Sequence, residues 1–178
     1  MFDQTVNGLY FKMEMDNYRQ RIGPKDFKQI EGEHPILLGI KPFKDYPREE
    51  EFEILRKIGR FLYGDDEEKA FLELGRDAFK FFSQNPLGKT AFNLLGNNPK
   101  VVVLNISKVF NLVTKGIEFE IKDLGERSVK MELVDEPAPH SYYEGIIKSG
   151  YEYFGVTLQL EKEIKDHHYI FNLVWGEE

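Results

Sequence analysis

The chain changes its hydrophobic period once. Up to Gly116 the apolar positions recur at helical spacing, and from Ile117 they recur at every second residue. In the first part Phe71, Leu74, Ala78 and Phe82 fall on one helical face. Before them Pro47 stands where a first helical position belongs, with Glu49, Glu50 and Glu51 in the first turn, an arrangement that suits the helix dipole. That helix is expected to run to about Tyr63 and stop at Gly64, and Asp65 with Glu68 resembles a capping box for the next. Asn85-Pro86 opens a third helix that Gly96 closes, and Asn98-Pro99 opens a fourth with the face Val102, Ile106, Val109 and Val113, ended by Gly116. The first third is less clearly punctuated. Helices are expected within residues 5–15 and 26–32, separated by Gly23-Pro24, and residues 35–42 read as an extended buried connection.

Beyond Gly116 the alternation predicts two hairpins. Ile117, Phe119 and Ile121 alternate with Glu118, Glu120 and Lys122; after a turn at residues 123–126, Val129, Met131 and Leu133 alternate with Ser128, Lys130 and Glu132. In the second hairpin Val156, Leu158 and Leu160 are followed by Tyr169, Phe171, Leu173 and Trp175. Between the hairpins Pro137 and Pro139 forbid a strand and make a stiff turn. Ser141 with Glu144 suits a helix cap, and Tyr143, Ile146, Ile147, Gly150 and Phe154 form one helical face that leaves Tyr142 outside it. Gly145 and Gly150 allow close approach of a neighbouring backbone. The pattern predicts an α+β fold: one domain, mainly helical over residues 1–115, with an antiparallel four-stranded ββαββ sheet over residues 116–178. One helix crosses the dry face of that sheet, and the N-terminal helices complete the cover.

Composition narrows the partners. At 178 residues and 41% hydrophobic, the chain is long enough for one real core. A net charge of -7 without a basic stripe argues against nucleic acid. The absence of cysteine removes disulfides, thiolate metal sites and thiol nucleophiles, and fits a reducing compartment. The first residues lack the basic flank and apolar run of a secretory signal, and no stretch approaches the ~18 apolar residues of a membrane span. A cytoplasmic protein is therefore expected.

The motifs that carry chemistry are few. Gly88-Lys89-Thr90 has the end of a phosphate loop, but Ser83 stands where its first glycine belongs and the preceding segment is helical. His34, His140, His167 and His168 fall in predicted turns and loops without a converging ligand set, so no metal is expected. "REEEFE" and "DDEEK" read as solvated helix starts, and no Gly-x-Ser-x-Gly elbow exists, so no catalytic residue is named. The aromatic content, 14%, is what remains to be explained. It suits a thick core or the wall of an apolar cavity between the second-half helix, the N-terminal helices and the dry sheet face. Phe119, Met131, Tyr143, Ile147, Leu158 and Phe171 are the candidate walls, around a space of about 300 Å³ or more.

The segments "YPREEEFEILRKIGRFLYG", "LELGRDAFKFF", "NPLGKTAFNLLG" and "YYEGIIKSGYEYFGV", in this order around the hairpins, resemble a myxobacterial paralogous family of uncharacterised proteins. By architecture that family looks like a broader group: haem–nitric-oxide-binding domains, vinyl-reductase-type domains and transport-particle subunits, which enclose ligands between helices and a ββαββ sheet. The resemblance implies a histidine on the helix before the first hairpin and a Tyr-x-Ser-x-Arg motif in haem-binding members; "NPKVVVLNISKVFNLVTKG" has no histidine and the motif is absent. Haem is accordingly not expected, nor any other cofactor. The expectation is a non-catalytic regulatory or sensory module for a small apolar ligand, homodimeric as such relatives often are, with a ligand-free interaction adaptor as the alternative and an enzyme as the weakest reading.

Overall fold

The computed structural model describes residues 4–96 and 98–176. The chain begins with a short strand, β1 (Thr5–Asn7), and α1 (Gly8–Ile22), whose first N–H groups are capped by the Asn7 side chain, which accepts from Leu9 and Tyr10. The helix α2 (Pro24–Glu33) follows, then a 3-10 turn at Pro35–Leu38 and β2 (Asp45–Pro47). Residues 5–15 are thus strand and helix rather than one helix. The predicted extended connection at 35–42 is also corrected: Leu37 and Gly39 donate to the carbonyls of His34 and Ile36, so the backbone satisfies itself locally and only Leu37 is buried.

Two long helices come next, α3 (Arg48–Tyr63) and α4 (Glu67–Gln84). Pro47 sits one residue before the first, because it stays extended to pair with Thr5 in the β1–β2 ladder. Asp66, not Asp65, caps the second, accepting from the Lys69 N–H at 3.1 Å. α5 (Pro86–Leu95) is capped by Asn85. The expected fourth helix is broken at Asn105 into α6 (Pro99–Leu104) and α7 (Ile106–Phe110); Asn105 turns its amide back onto the Val101 carbonyl at 2.8 Å. The chain then forms β3 (Thr114–Lys115), and β1 lies between β2 and β3 in a small antiparallel sheet that the sequence did not announce.

The second half follows the predicted ββαββ order: β4 (Glu118–Gly125), β5 (Ser128–Val134), α8 (His140–Tyr153), β6 (Thr157–Lys165) and β7 (His168–Gly176). The four strands form one antiparallel sheet in the order β4-β5-β7-β6, with Met131 opposite Phe171 and Leu133 opposite Tyr169 in the central pair. Val129, Met131, Leu133, Tyr169, Phe171, Leu173 and Trp175 are buried, as the alternation requires.

α8 is covered on two sides. Against the sheet it packs Tyr143, Ile147 and Tyr151, with the Tyr151 ring 5.4 Å from that of Trp175. On its other side it crosses α4 at backbone contact. A Cβ on Gly75 would stand 1.9 Å from the Tyr142 carbonyl oxygen, and one on Gly145 would stand 2.0 Å from that of Leu72. Only glycine at both positions permits this approach. Tyr142 is therefore buried, edge-on to Phe52 at 5.1 Å, rather than outside the packed face. Ser141 does not cap the helix, which starts one residue earlier after Pro139.

Candidate functional site

Two adjoining cavities of about 60 Å³ each flank α8, the first among the helices α1, α3, α4, α5 and α7, the second between α8, α4, the α6–α7 segment and the sheet. Phe79, Ile106, Phe110 and Ile146 belong to the walls of both. The second is almost wholly apolar: α6 and α7 roof it with Val102, Val103 and Phe110, and its floor includes Met131 and Leu173 of the sheet. The rings of Phe110, Phe119 and Tyr143 meet at one end, with Phe110 and Phe119 centred 4.9 Å apart.

Four of the six sequence-nominated residues stand in this wall: Phe119, Met131, Tyr143 and Ile147. Leu158 lies half-buried on the edge strand β6 and Phe171 is fully enclosed in the middle of the sheet, and neither belongs to either wall. Phe79 and Phe154 were missed, although Phe79 follows Gly75 by one helical turn. The volume falls short of the about 300 Å³ at which small-molecule pockets begin.

The first cavity has a polar end. Arg48 and Glu51, at the start of α3, stand in its wall and are 2% exposed each. The Arg48 guanidinium donates to Glu51 Oε2 at 3.2 Å and to the Tyr143 hydroxyl at 3.2 Å, lies 3.8 Å from Glu136 Oε1, and faces the Phe52 ring. Its Nε finds no acceptor. Glu14, on α1 and 1% exposed, meets no N–H or O–H donor; its contact is with the Glu51 carboxyl. Two carboxyl groups hydrogen-bond only when one carries a proton. Burial pushes Glu14 well above the ordinary carboxylate range, and burial also raises Glu51 and Glu136 against the opposing pull of Arg48. Glu136 sits in the strap between β5 and α8, where its backbone N–H donates to the His167 carbonyl and the Tyr169 hydroxyl donates to the Ala138 carbonyl.

The sequence treated Arg48 and Glu51 as a solvated helix start, but spacing carried the signal. Arg48, Glu51, Phe52 and Leu55 share one face of α3, and Glu14 shares a face of α1 with Tyr10, Phe11 and Tyr18. Among the described residues, no group of three or more His, Asp or Glu side chains is arranged to hold a metal ion, and no helix is long and apolar enough to cross a membrane.

Residues 1–176 match the family model described as "Protein of unknown function (DUF2378)". The chain belongs to that family. No curated protein matches it. Among solved structures it is similar to an Fe(II) unliganded H-NOX protein from K. algicida, with 13% identity, a TM-score of 0.71 and 97% of each chain covered. It is likewise similar to two Shewanella oneidensis structures: an H-NOX protein in the Fe(II)NO ligation state (13%, TM-score 0.73, 96% of this chain and 99% of that one) and an H-NOX domain in the Fe(II)CO state (13%, TM-score 0.77, 97% and 99%). This DUF2378 chain therefore has the H-NOX-like α+β fold.

The fold raises the question of haem, and the residues present do not fit one. No histidine lines either cavity. Each cavity is a small fraction of the about 300–1,000 Å³ usual for small-molecule pockets. The charged wall of the first is taken up by Arg48, which donates to Glu51 and to the Tyr143 hydroxyl.

Proposed function

We propose that this DUF2378 domain is a non-catalytic sensory module that takes a small, largely apolar molecule between α8, the α6–α7 segment and the sheet, without haem. The observation that carries this reading is the almost wholly apolar cavity between α8, the α6–α7 segment and the sheet, with the first cavity adjoining it. The solved relatives are described in Fe(II), Fe(II)NO and Fe(II)CO states, so this fold serves gas-ligated iron proteins; here the same architecture keeps space for the guest and lacks the residues for the iron. A guest must be small. The cavity that admits benzene in another protein measures about 150 Å³, and each space here is about 60 Å³.

Xenon tests the reading, since it is apolar, small and needs no specific hydrogen bond. Crystals or solutions under xenon pressure should show saturable occupancy beside Phe110 and Ile146, with quenching or shift of Trp175 emission through Tyr151. Haemin titration should give no stoichiometric Soret complex. A chain that takes up no xenon, or that binds haemin one to one through a histidine, overturns the proposal.

A further inference from the structure

Charge is distributed unevenly along the chain. Between Asp77 and Glu118 there is no acidic residue, and the charges are Lys80, Lys89, Lys100, Lys108 and Lys115, in a chain whose net charge is -7. This stretch builds α5, α6, α7 and the turn after them. Its inner side walls the cavities through Phe92, Val102, Val103, Ile106 and Val109. Its outer side is apolar as well: Leu87, Leu94, Val101, Leu104 and Leu112 are exposed, Leu94 at 82%. Leu87 and Leu94 stand two turns apart on one face of α5, and Val101 and Leu104 one turn apart on α6, which packs against α5. We propose that this face rests on an anionic lipid surface, with the leucine and valine side chains at the boundary of the acyl chains and the lysine ammoniums at the lipid phosphates. This contact is separate from the cavities and does not depend on a guest.

Charge and residue type select this occupant. Lys89 and Lys108 are exposed and enter no ion pair among the described residues, whereas Lys100 and Lys115 are held by Asp123 and Asp45. A protein partner is ordinarily met through aromatic and arginine anchors, and lysine is depleted at such interfaces. Between Asp77 and Glu118 there is no arginine, tryptophan or tyrosine, and none of the phenylalanines is exposed. A second copy fits no better. Pairing this face with itself sets lysines against lysines, and pairing it with the acidic remainder of another chain is head-to-tail, which leads to rings or filaments rather than a closed pair. An anionic membrane meets both features of the face. It gives each lysine near the surface roughly a fivefold gain in affinity, and it takes the exposed leucines out of water. The acid-rich remainder is repelled, which turns this face toward the lipid. No helix among the described residues is long and apolar enough to cross a membrane, so the contact is peripheral.

Vesicle flotation of the full chain tests this, with phosphatidylcholine alone set against an equal mixture of phosphatidylcholine and phosphatidylserine. The chain should bind the mixed vesicles roughly tenfold or more tightly than the neutral ones, and high salt should remove the difference. Replacing both free lysines, Lys89→Gln with Lys108→Gln, should weaken binding to the mixed vesicles about twentyfold. Leu94→Gln leaves the charge unchanged and should weaken it several-fold. Leu94→Trp should add an emission that shifts to the blue with mixed vesicles only. All these positions are exposed, so the melting point should stay with the parent's. Should the paired lysine variant fail to fold, the Leu94→Trp emission decides. Equal binding to the two kinds of vesicle, no binding to either, or binding that neither the lysine pair nor Leu94→Gln weakens overturns the proposal. So does tighter binding to soluble polyglutamate than to the mixed vesicles, which would make the partner an acidic protein. A concentration-dependent dimer that Leu94→Gln dissolves, with the vesicles left bare, would overturn it in favour of a second copy.

Discussion

The two sides of α8 are packed to different standards. Toward α4 the helices touch through their backbones, with Gly75 and Gly145 under each other's neighbouring carbonyls and Tyr142 locked against Phe52. Toward α6, α7 and the sheet the same helix faces one unfilled space, and a second opens beside the crossing, between Tyr142 and Ile146, α7 and the Ala78–Phe82 end of α4, although ten phenylalanine and tyrosine rings are available in the walls. Apolar content was thus not limiting. The rigid crossing sets the height of α8, and side chains on the far side must span whatever gap is left. Interiors normally fill such gaps, so the cavities retained beside a crossing this tight are where the proposed guest would enter without moving the frame.

This contrast can be broken most severely from the tight side. Gly145→Val would drive a branched side chain into the Leu72 carbonyl, which belongs to the α4 backbone and cannot swing away. The loss should exceed the ~1–3 kcal/mol of ordinary overpacking. At roughly 2–4 °C per kcal/mol for a chain of this size, calorimetry would show a large fall, and a melting point equal to the parent's would show that the crossing is slack. Tyr142→Ala comes next. It removes a buried ring from the same contact and should cost about 3 kcal/mol or more. Gly150→Ala should be milder by far, because its new methyl meets only the Phe79 ring at 3.3 Å. If the two variants melt together, α8 is not held as described.

The loose side should tolerate more. Ile106→Phe adds volume next to both cavities and is expected to change stability by less than ~1 kcal/mol, while lowering xenon uptake; a loss like that of Gly145→Val would mean the spaces are not there to be filled. A further contrast concerns protons. Burial raises the Glu14 carboxyl above its unfolded value near 4.5, so the folded chain binds more protons and the group's contribution is complete below that pH. It is lost as pH rises toward the raised folded value. Glu144, Glu33, Asp123 and Glu132 are shifted down by their cationic partners and act in the opposite sense, losing their contribution as pH falls. Glu14→Gln keeps the shape and removes only the raised group. Its melting point should gain on the parent's as pH rises above the unfolded value near 4.5, and a constant difference would show that Glu14 titrates normally.

How much of this was legible follows from which signals a single chain can carry. The hairpins were, because one face of the sheet is wet and alternation records it in Phe119 to Ile121, Val129 to Leu133 and Tyr169 to Trp175. α8 was legible as a helix but not as a helix covered twice. Periodicity shows one stripe, and the second was written in Tyr142, Ser141 and Ser149, whose polar atoms disguise their burial. Gly145 was recognised as a close-approach residue; its partner Gly75 lies 70 positions earlier in the chain, and nothing local joins them. The candidate walls were found where they sit on regular strands and on α8, as with Met131 and Ile147. They were missed where register on another helix decides, as with Phe79. The buried Arg48, Glu51 and Glu14 were passed over because residue type was allowed to outweigh spacing.

The small sheet has a consequence for the order in which the molecule can be completed. β1 is made well before these partners, yet its residue Thr5 pairs with Lys115, the Asn7 N–H donates to the Val113 carbonyl, and Gln4 beside it donates to the carbonyl of Asp135. On a ribosome the opening strand must wait until more than a hundred later residues have emerged before these partners exist. Closing so long a loop is entropically slow and delays the contacts that reward it. The helices α1 to α5 can form meanwhile and β2 can cover one edge of β1, but the edge that β3 will cover stays open until then to strands of other chains.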